Sequence, residues 1–236
     1  HIYDSPDRLK YPLKRIGERF ERISWDQALQ EIGAKVKALR QISPQSISMY
    51  VGTAAGFSIL HPIFAEGFMQ GIGSHNIYTS STQDCANRFA SASELYGFPF
   101  YQPFVDLDNV KCMIVVGTNP VVSKWTFLQV AHPAQRIKEL NARGARTIFV
   151  DPRYTESAKV GTDHVFIRPN SDVFFFLSFL HELIIQNGID RERTGRYMSG
   201  LSHLENLVKH WPAERTEKLT RIPAAKLKEM VHLYIT

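Results

Sequence analysis

The sequence predicts an α/β protein, layers of parallel sheet flanked by helices, cut from a larger multidomain chain. Three observations carry this. Two apolar, β-branched runs, Cys112 to Val116 and Thr147 to Val150, bracket a helical pattern that ends on the turn Ala142-Arg143-Gly144-Ala145. The first run is followed by Gly117-Thr118-Asn119-Pro120 and the second by Asp151-Pro152-Arg153. Strand, glycine turn, helix, strand, acid is the order in which open parallel sheets hold nucleotides at their carboxyl edge. A second strand-turn-helix pattern lies upstream: Ser46 to Val51, then Gly52-Thr53-Ala54-Ala55-Gly56, then a helix from about Ser58 to Gln70.

Taken in order, Ser24-Trp25-Asp26-Gln27 reads as a capping box, with Ser24 and Gln27 meeting two end donors of the helix that follows. Ala28, Leu29, Ile32, Val36 and Leu39 then recur at helical spacing. Between Ser74 and Asp106 no period is clean; Asp84 to Leu95 reads as a short helix and Gly97 to Pro103 as an aromatic, proline-containing loop. Val110 to Val150 is the clearest βαβ unit. A short strand at His164 to Ile167 precedes a long helix from Ser171 to about Gln186. The remainder is more polar helix, broken at Gly188, Gly200 and Pro212. Pro223-Ala224-Ala225 opens a last helix, since proline is tolerated in the first turn.

Composition excludes several classes. With 236 residues, 44% hydrophobic and 22% charged, the chain can bury one large α/β domain or two smaller ones. Its longest apolar stretch, Val173 to Ile185, is interrupted by Ser178, His181 and Glu182, so no membrane insertion is expected. The net charge of +5 owes much to Arg8, Lys10, Lys14, Arg15, Arg19 and Arg22; Glu18 and Glu21 dilute that cluster, which reads as a solvated face and not as a nucleic-acid surface. Two cysteines, Cys85 and Cys112, cannot build a four-thiolate cluster, so no iron–sulfur cluster is expected within the chain. The chain begins at His1 and not at Met, and its last helical pattern runs into Thr236, so a longer parent is expected. The compartment stays open, with the cytoplasm ranked ahead of the periplasm.

A glycine just past a strand lets backbone amides approach a phosphate, and a following helix adds its positive end. Thr118 and Asn119 add hydroxyl and amide donors, and Pro120 fixes the turn without an unpaired amide. Asp151, at the tip of the next strand, stands where an acid binds ribose hydroxyls. The alternative is a tight strand-to-helix turn with no ligand. The dinucleotide pattern G-x-G-x-x-G is absent, which demotes ordinary NAD binding.

Four segments together resemble the molybdopterin oxidoreductases, the superfamily of DMSO reductases, periplasmic nitrate reductases and formate dehydrogenases. They are Arg8 to Arg15 with Arg22 to Leu29; Gly117-Thr118-Asn119-Pro120, similar to a G-x-N-P turn; Asp151 to Ala158, similar to D-P-R-x-T-E-T-A; and Ile167 to Asp172, similar to R-P-G-T-D. The resemblance implies a bis-molybdopterin guanine dinucleotide carrying molybdenum or tungsten. It places Gly117, Thr118, Asn119 and Pro120 at a pyrophosphate or pterin, Asp151 and Arg153 by the guanosine, and Asp172 on the guanine edge. Asn170 stands where the family has glycine, and asparagine also tolerates a left-handed backbone.

The resemblance divides the chain into an opening segment and first half of an α/β cofactor domain (1–105), a Rossmann-like guanine-dinucleotide domain (106–222), and the start of a return into the first domain (223–236). It implies further domains before and after this stretch and an iron–sulfur or other electron-transfer partner. In the segment from which the family usually supplies a metal ligand, aligning Asp84 to Arg88 with the formate dehydrogenase pattern sets Ala90 at the ligand position and Ser91 where a catalytic histidine would stand. Alanine has no lone pair to offer, so no metal ligand and no catalytic residue is assigned. Two other readings stand beside an oxidoreductase portion that is inactive in isolation: a metal-free scaffold, as in the large iron–sulfur subunit of respiratory complex I, and a generic nucleotide-binding dehydrogenase domain.

Overall fold

The computed structural model describes residues 4–52, 58–101, 103–124 and 130–236. The chain divides between residues 102 and 103 into two compact units.

The first unit opens with an antiparallel hairpin, β1 (Leu13–Ile16) and β2 (Arg19–Arg22), which turns at Gly17 with φ +63°. Helix α1 (Trp25–Ile42) starts as expected, the Ser24 hydroxyl accepting the Gln27 amide at 3.1 Å. The return half of the capping box is not formed that way: the Gln27 side-chain amide donates to Glu31 at 3.0 Å. The strand expected from Ser46 is shorter, because Pro44–Ser46 forms a 3-10 turn capped by Ser43. Strand β3 (Met49–Val51) pairs in parallel with β4 (Ile77–Thr79), which lies in the stretch without a clean period. Between them, α2 (Leu60–Ile72) falls two residues later than expected. The small-residue turn predicted at Gly52 to Gly56 lies, beyond Gly52, outside the described residues. The short helix predicted over Asp84 to Leu95 is α4 (Ala86–Tyr96); a one-turn helix, α3 (Ser81–Asp84), precedes it, parted from it where Cys85 leaves helical geometry at φ −137°.

The second unit is built on β5 (Cys112–Val116), β6 (Arg146–Val150) and β7 (Asp163–Val165), all parallel and in that spatial order. Around it lie α5 (Pro120–Ser123), α6 (Pro133–Ala142), α7 (Asp172–Ile185), α8 (Arg191–Tyr197), α9 (Leu201–Val208), α10 (Ala213–Thr220) and α11 (Ala224–Ile235). Strand side chains alternate between faces. Ile148 and Val150 pack with Val165, Phe175, Leu227 and Met230 on one face, and Phe149 packs with Met113, Ile137, Leu140 and Ala158 on the other. Each of the larger of these side chains contributes roughly 1.5–3 kcal/mol on full burial. Residues 224–235, expected to begin a return to the first domain, lie in this unit, with Leu227 and Met230 in its core. A Cβ on Gly188 would fall 2.5 Å from Ile235 Cγ1, so the end of α11 presses on the chain leaving α7.

Candidate functional site

The register of the second sheet brings three loops to one edge. Val116 pairs with Val150 and Val150 with Val165, so the chain leaves the sheet at Gly117, Asp151 and Phe166 side by side. This is the carboxyl edge of a parallel sheet, where ligands of open α/β folds bind.

At the first loop, Gly117 has φ +63° and a Cβ there would meet nothing within 4 Å. Glycine is needed for the backbone conformation and not for space. Its amide donates to the Val150 carbonyl at 2.9 Å, so it closes the strand end instead of pointing at a ligand. Pro120 is buried as the first residue of α5. That helix has four residues, too few aligned peptide dipoles for the full helix-end field, and the longer α6 starts only at Pro133. The amino end of α6 lines a cleft of about 530 Å³ with Val121, Lys124, His132 and Lys138.

The second loop is bound to the first by side chains. The Asn119 amide nitrogen donates to Glu156 Oε2 at 2.8 Å, and its Oδ1 accepts from the Ser157 amide (3.2 Å) and hydroxyl (2.6 Å). The Ser157 Oγ in turn accepts the Val121 amide at 2.9 Å. Arg153 donates to Glu156 at 3.3 Å while 63% of its side chain stays exposed, and its amide donates to Asp151 Oδ1 at 2.8 Å. Glu156's own amide, then Asn119 and Arg153, hold its carboxyl down at about 2 from the usual 4.5.

The third loop runs from Phe166 to Asp172. The Arg168 amide donates to the Thr220 carbonyl at 2.8 Å, which ties the loop to α10, and the Ser171 hydroxyl donates to the Arg168 carbonyl. Asn170 has φ +61°, the left-handed backbone its residue type permits. Asp172 is the exposed first residue of α7, where a carboxylate complements the helix dipole. Between the second and third loops the His164 ring sits edge-on to Tyr154 (5.2 Å) and Phe166 (4.3 Å), its Nε2 donating to the Asp151 carbonyl at 3.1 Å.

All seven predicted residues, Gly117 to Pro120, Asp151, Arg153 and Asp172, thus lie on these three loops. Exposed guanidinium groups at Arg153 and Arg168 suit phosphate oxygens, and a carboxylate such as Asp172 can accept two N–H groups at once. Sequence reasoning did not single out Glu156 and Ser157. The available signal was the run Thr155-Glu156-Ser157, three polar residues of which the structure buries Thr155 and Ser157.

In the first unit, Tyr50, Tyr78, Thr79, Ser80, Gln83 and Asp84 line a polar cleft of about 680 Å³ at the carboxyl end of β3 and β4. Ala90 and Ser91 are exposed positions within α4, and Cys85 is a half-buried free thiol. In the second unit, burial pushes the half-buried Cys112 thiol up, which disfavours the nucleophilic thiolate. Among the described residues no three His, Cys, Asp or Glu side chains are grouped to hold a metal ion.

The family described as molybdopterin oxidoreductase matches residues 8–226 of the chain. Acetylene hydratase of Syntrophotalea acetylenica is 26% identical over 98% of this chain and 31% of its own length. The dimethyl sulfoxide reductase DmsA of Haemophilus influenzae is 28% identical over 83% of this chain and 26% of its own. Formate dehydrogenase H of Escherichia coli is 23% identical over 96% and 32%. The solved acetylene hydratase from Pelobacter acetylenicus superposes with a TM-score of 0.72 at 24% identity, over 98% of this chain and 31% of that one, a likeness of fold. The chain spans between about a quarter and a third of the length of these relatives.

Proposed function

The chain belongs to the molybdopterin oxidoreductase family, and on that premise we propose that it grips the guanine dinucleotide end of a molybdopterin cofactor in a larger molybdenum or tungsten oxidoreductase. The observation that carries this reading is the alignment of the Gly117, Asp151 and Phe166 loops along one sheet edge. The donor set fits such a group. Open space over the Gly117 turn admits a pyrophosphate, and the exposed guanidinium groups of Arg153 and Arg168 offset its charge. Asp151 accepts from ribose hydroxyls, and Asp172 accepts the ring N–H and exocyclic amine of guanine. When bound, the cofactor supplies a metal centre for two-electron chemistry on a small substrate. This chain's residues bind and orient it.

Under this reading the isolated chain is inactive, and the rest of the parent encloses the cofactor and connects to an iron–sulfur or other electron-transfer partner. The greater length of the relatives supports that. It also accounts for the apolar stripes left outside on α1 (Trp25, Leu29, Ile32) and α2 (Leu60, Ile63, Phe64), which other parts of the parent would cover.

Metal analysis of the full-length parent, with assay of guanine nucleotide released on acid hydrolysis, tests the proposal. Molybdenum or tungsten together with GMP is expected; neither metal nor pterin would sink it. Ala90 at the aligned ligand position favours one second reading, a metal-free scaffold, and guanine nucleotide bound without metal would support that instead.

A further inference from the structure

The contacts between the first two loops have a property that fold stability does not explain. Glu156 and Arg153 are exposed enough that their ion pair adds little to stability. Yet Glu156 receives both the Asn119 amide and the Arg153 guanidinium, and so fixes one loop's turn relative to the other loop's cation. Ser157 completes the link from beneath. It is fully buried, its hydroxyl both donates to Asn119 and accepts from Val121, and its amide donates to the same Asn119 oxygen. Asn119 is therefore held on three sides by residues 156 and 157, and the open face of Arg153 is left toward solvent.

We propose that Glu156 and Ser157 are positioning residues that set the spacing between the Gly117–Pro120 turn and the Arg153 guanidinium, and through that spacing the affinity for a nucleoside diphosphate. This rests on the cofactor-end reading above. Sites that recognise two phosphates at once need their donors held within about half an ångström, which a side-chain clasp achieves and a free loop does not. Ser157 acts through its hydroxyl, so threonine, which stands there in the D-P-R-x-T-E-T-A pattern, should substitute for it and alanine should not.

GDP binding by the cofactor-free full-length parent, followed by titration calorimetry well below the melting temperature of each variant, tests the idea. Ser157→Ala and Glu156→Gln should each weaken GDP binding by about tenfold, and Ser157→Thr should stay within about twofold of the wild type. Glu156→Gln should do so with its melting temperature lowered only slightly and the chain still fully folded at the titration temperature, a split that a merely structural role would not give, and it carries the test should Ser157→Ala fail to fold. Wild-type binding that Glu156→Gln leaves intact overturns the clasp alone. A wild-type parent that binds no GDP at millimolar concentration overturns the cofactor-end reading and the clasp with it.

Discussion

The two units bury their apolar residues to very different extents. Among the described residues, Met69, Ile72 and Ala92 are the buried apolar side chains before residue 103, against eighteen after it. The second unit has a three-stranded parallel sheet with a core on each face, whereas the first has a two-stranded parallel pair and a separate hairpin. Trp25 and Phe64 are 64% and 70% exposed although both sit on apolar helix stripes. Periodicity therefore identifies the face a helix would bury, and the sheet decides whether the chain itself can bury it.

Core truncation is the strongest way to break that contrast. Phe149→Ala should cost about 3–5 kcal/mol and Phe64→Ala no more than about 0.5 kcal/mol, read as shifts in urea midpoint. Equal costs would mean that the first unit's stripes are covered in solution. Glycines sharpen the comparison with opposite signs. A Cβ on Gly161 would lie 2.6 Å from Phe149 Cδ2, so Gly161→Ala should destabilise by about 1–3 kcal/mol. Gly33, inside α1, has open space around it, and Gly33→Ala should stabilise by about 0.5–1 kcal/mol. Thermal melts of the two variants in parallel check the sign.

Of similar size is the cap. Ser24→Ala removes the acceptor for the Gln27 amide and should cost the first unit about 0.5–2 kcal/mol, seen as loss of helical circular dichroism on warming. The smallest effect is one of pH. Because Glu156 titrates at about 2 in the folded chain and near 4.5 when unpaired, its contribution is complete above about 4.5 and is lost as the pH falls toward 2. The melting difference between wild type and Glu156→Gln should accordingly be constant from pH 8 to 5 and vanish in acid. A difference that grew in acid would reverse the assignment.

The second unit was legible because its strands are continuous apolar runs ended by Gly117 and Asp151, and because α7 is apolar for nearly four turns. Strands β3 and β4, of three residues each, are too short to show a period, so one was overextended and the other unread. The break at Cys85 has no glycine or proline to announce it. At the site, Asn170's left-handed backbone followed from its residue type, whereas the helix expected directly behind Gly117 is one turn long. Glu156 and Ser157 stayed hidden because their role lies in a partner 37 or 38 residues away, which no local pattern encodes.

That separation has a kinetic consequence. Asn119 and Ser157 can meet only after β5 and β6 have paired in register, since the strands carry the two loops to the same edge. The clasp should thus form late in folding, on the native side of the barrier. Its loss should appear in the unfolding rate, with the rate of folding nearly untouched. The loops joined by the clasp should be the last to be fixed and the first to be released.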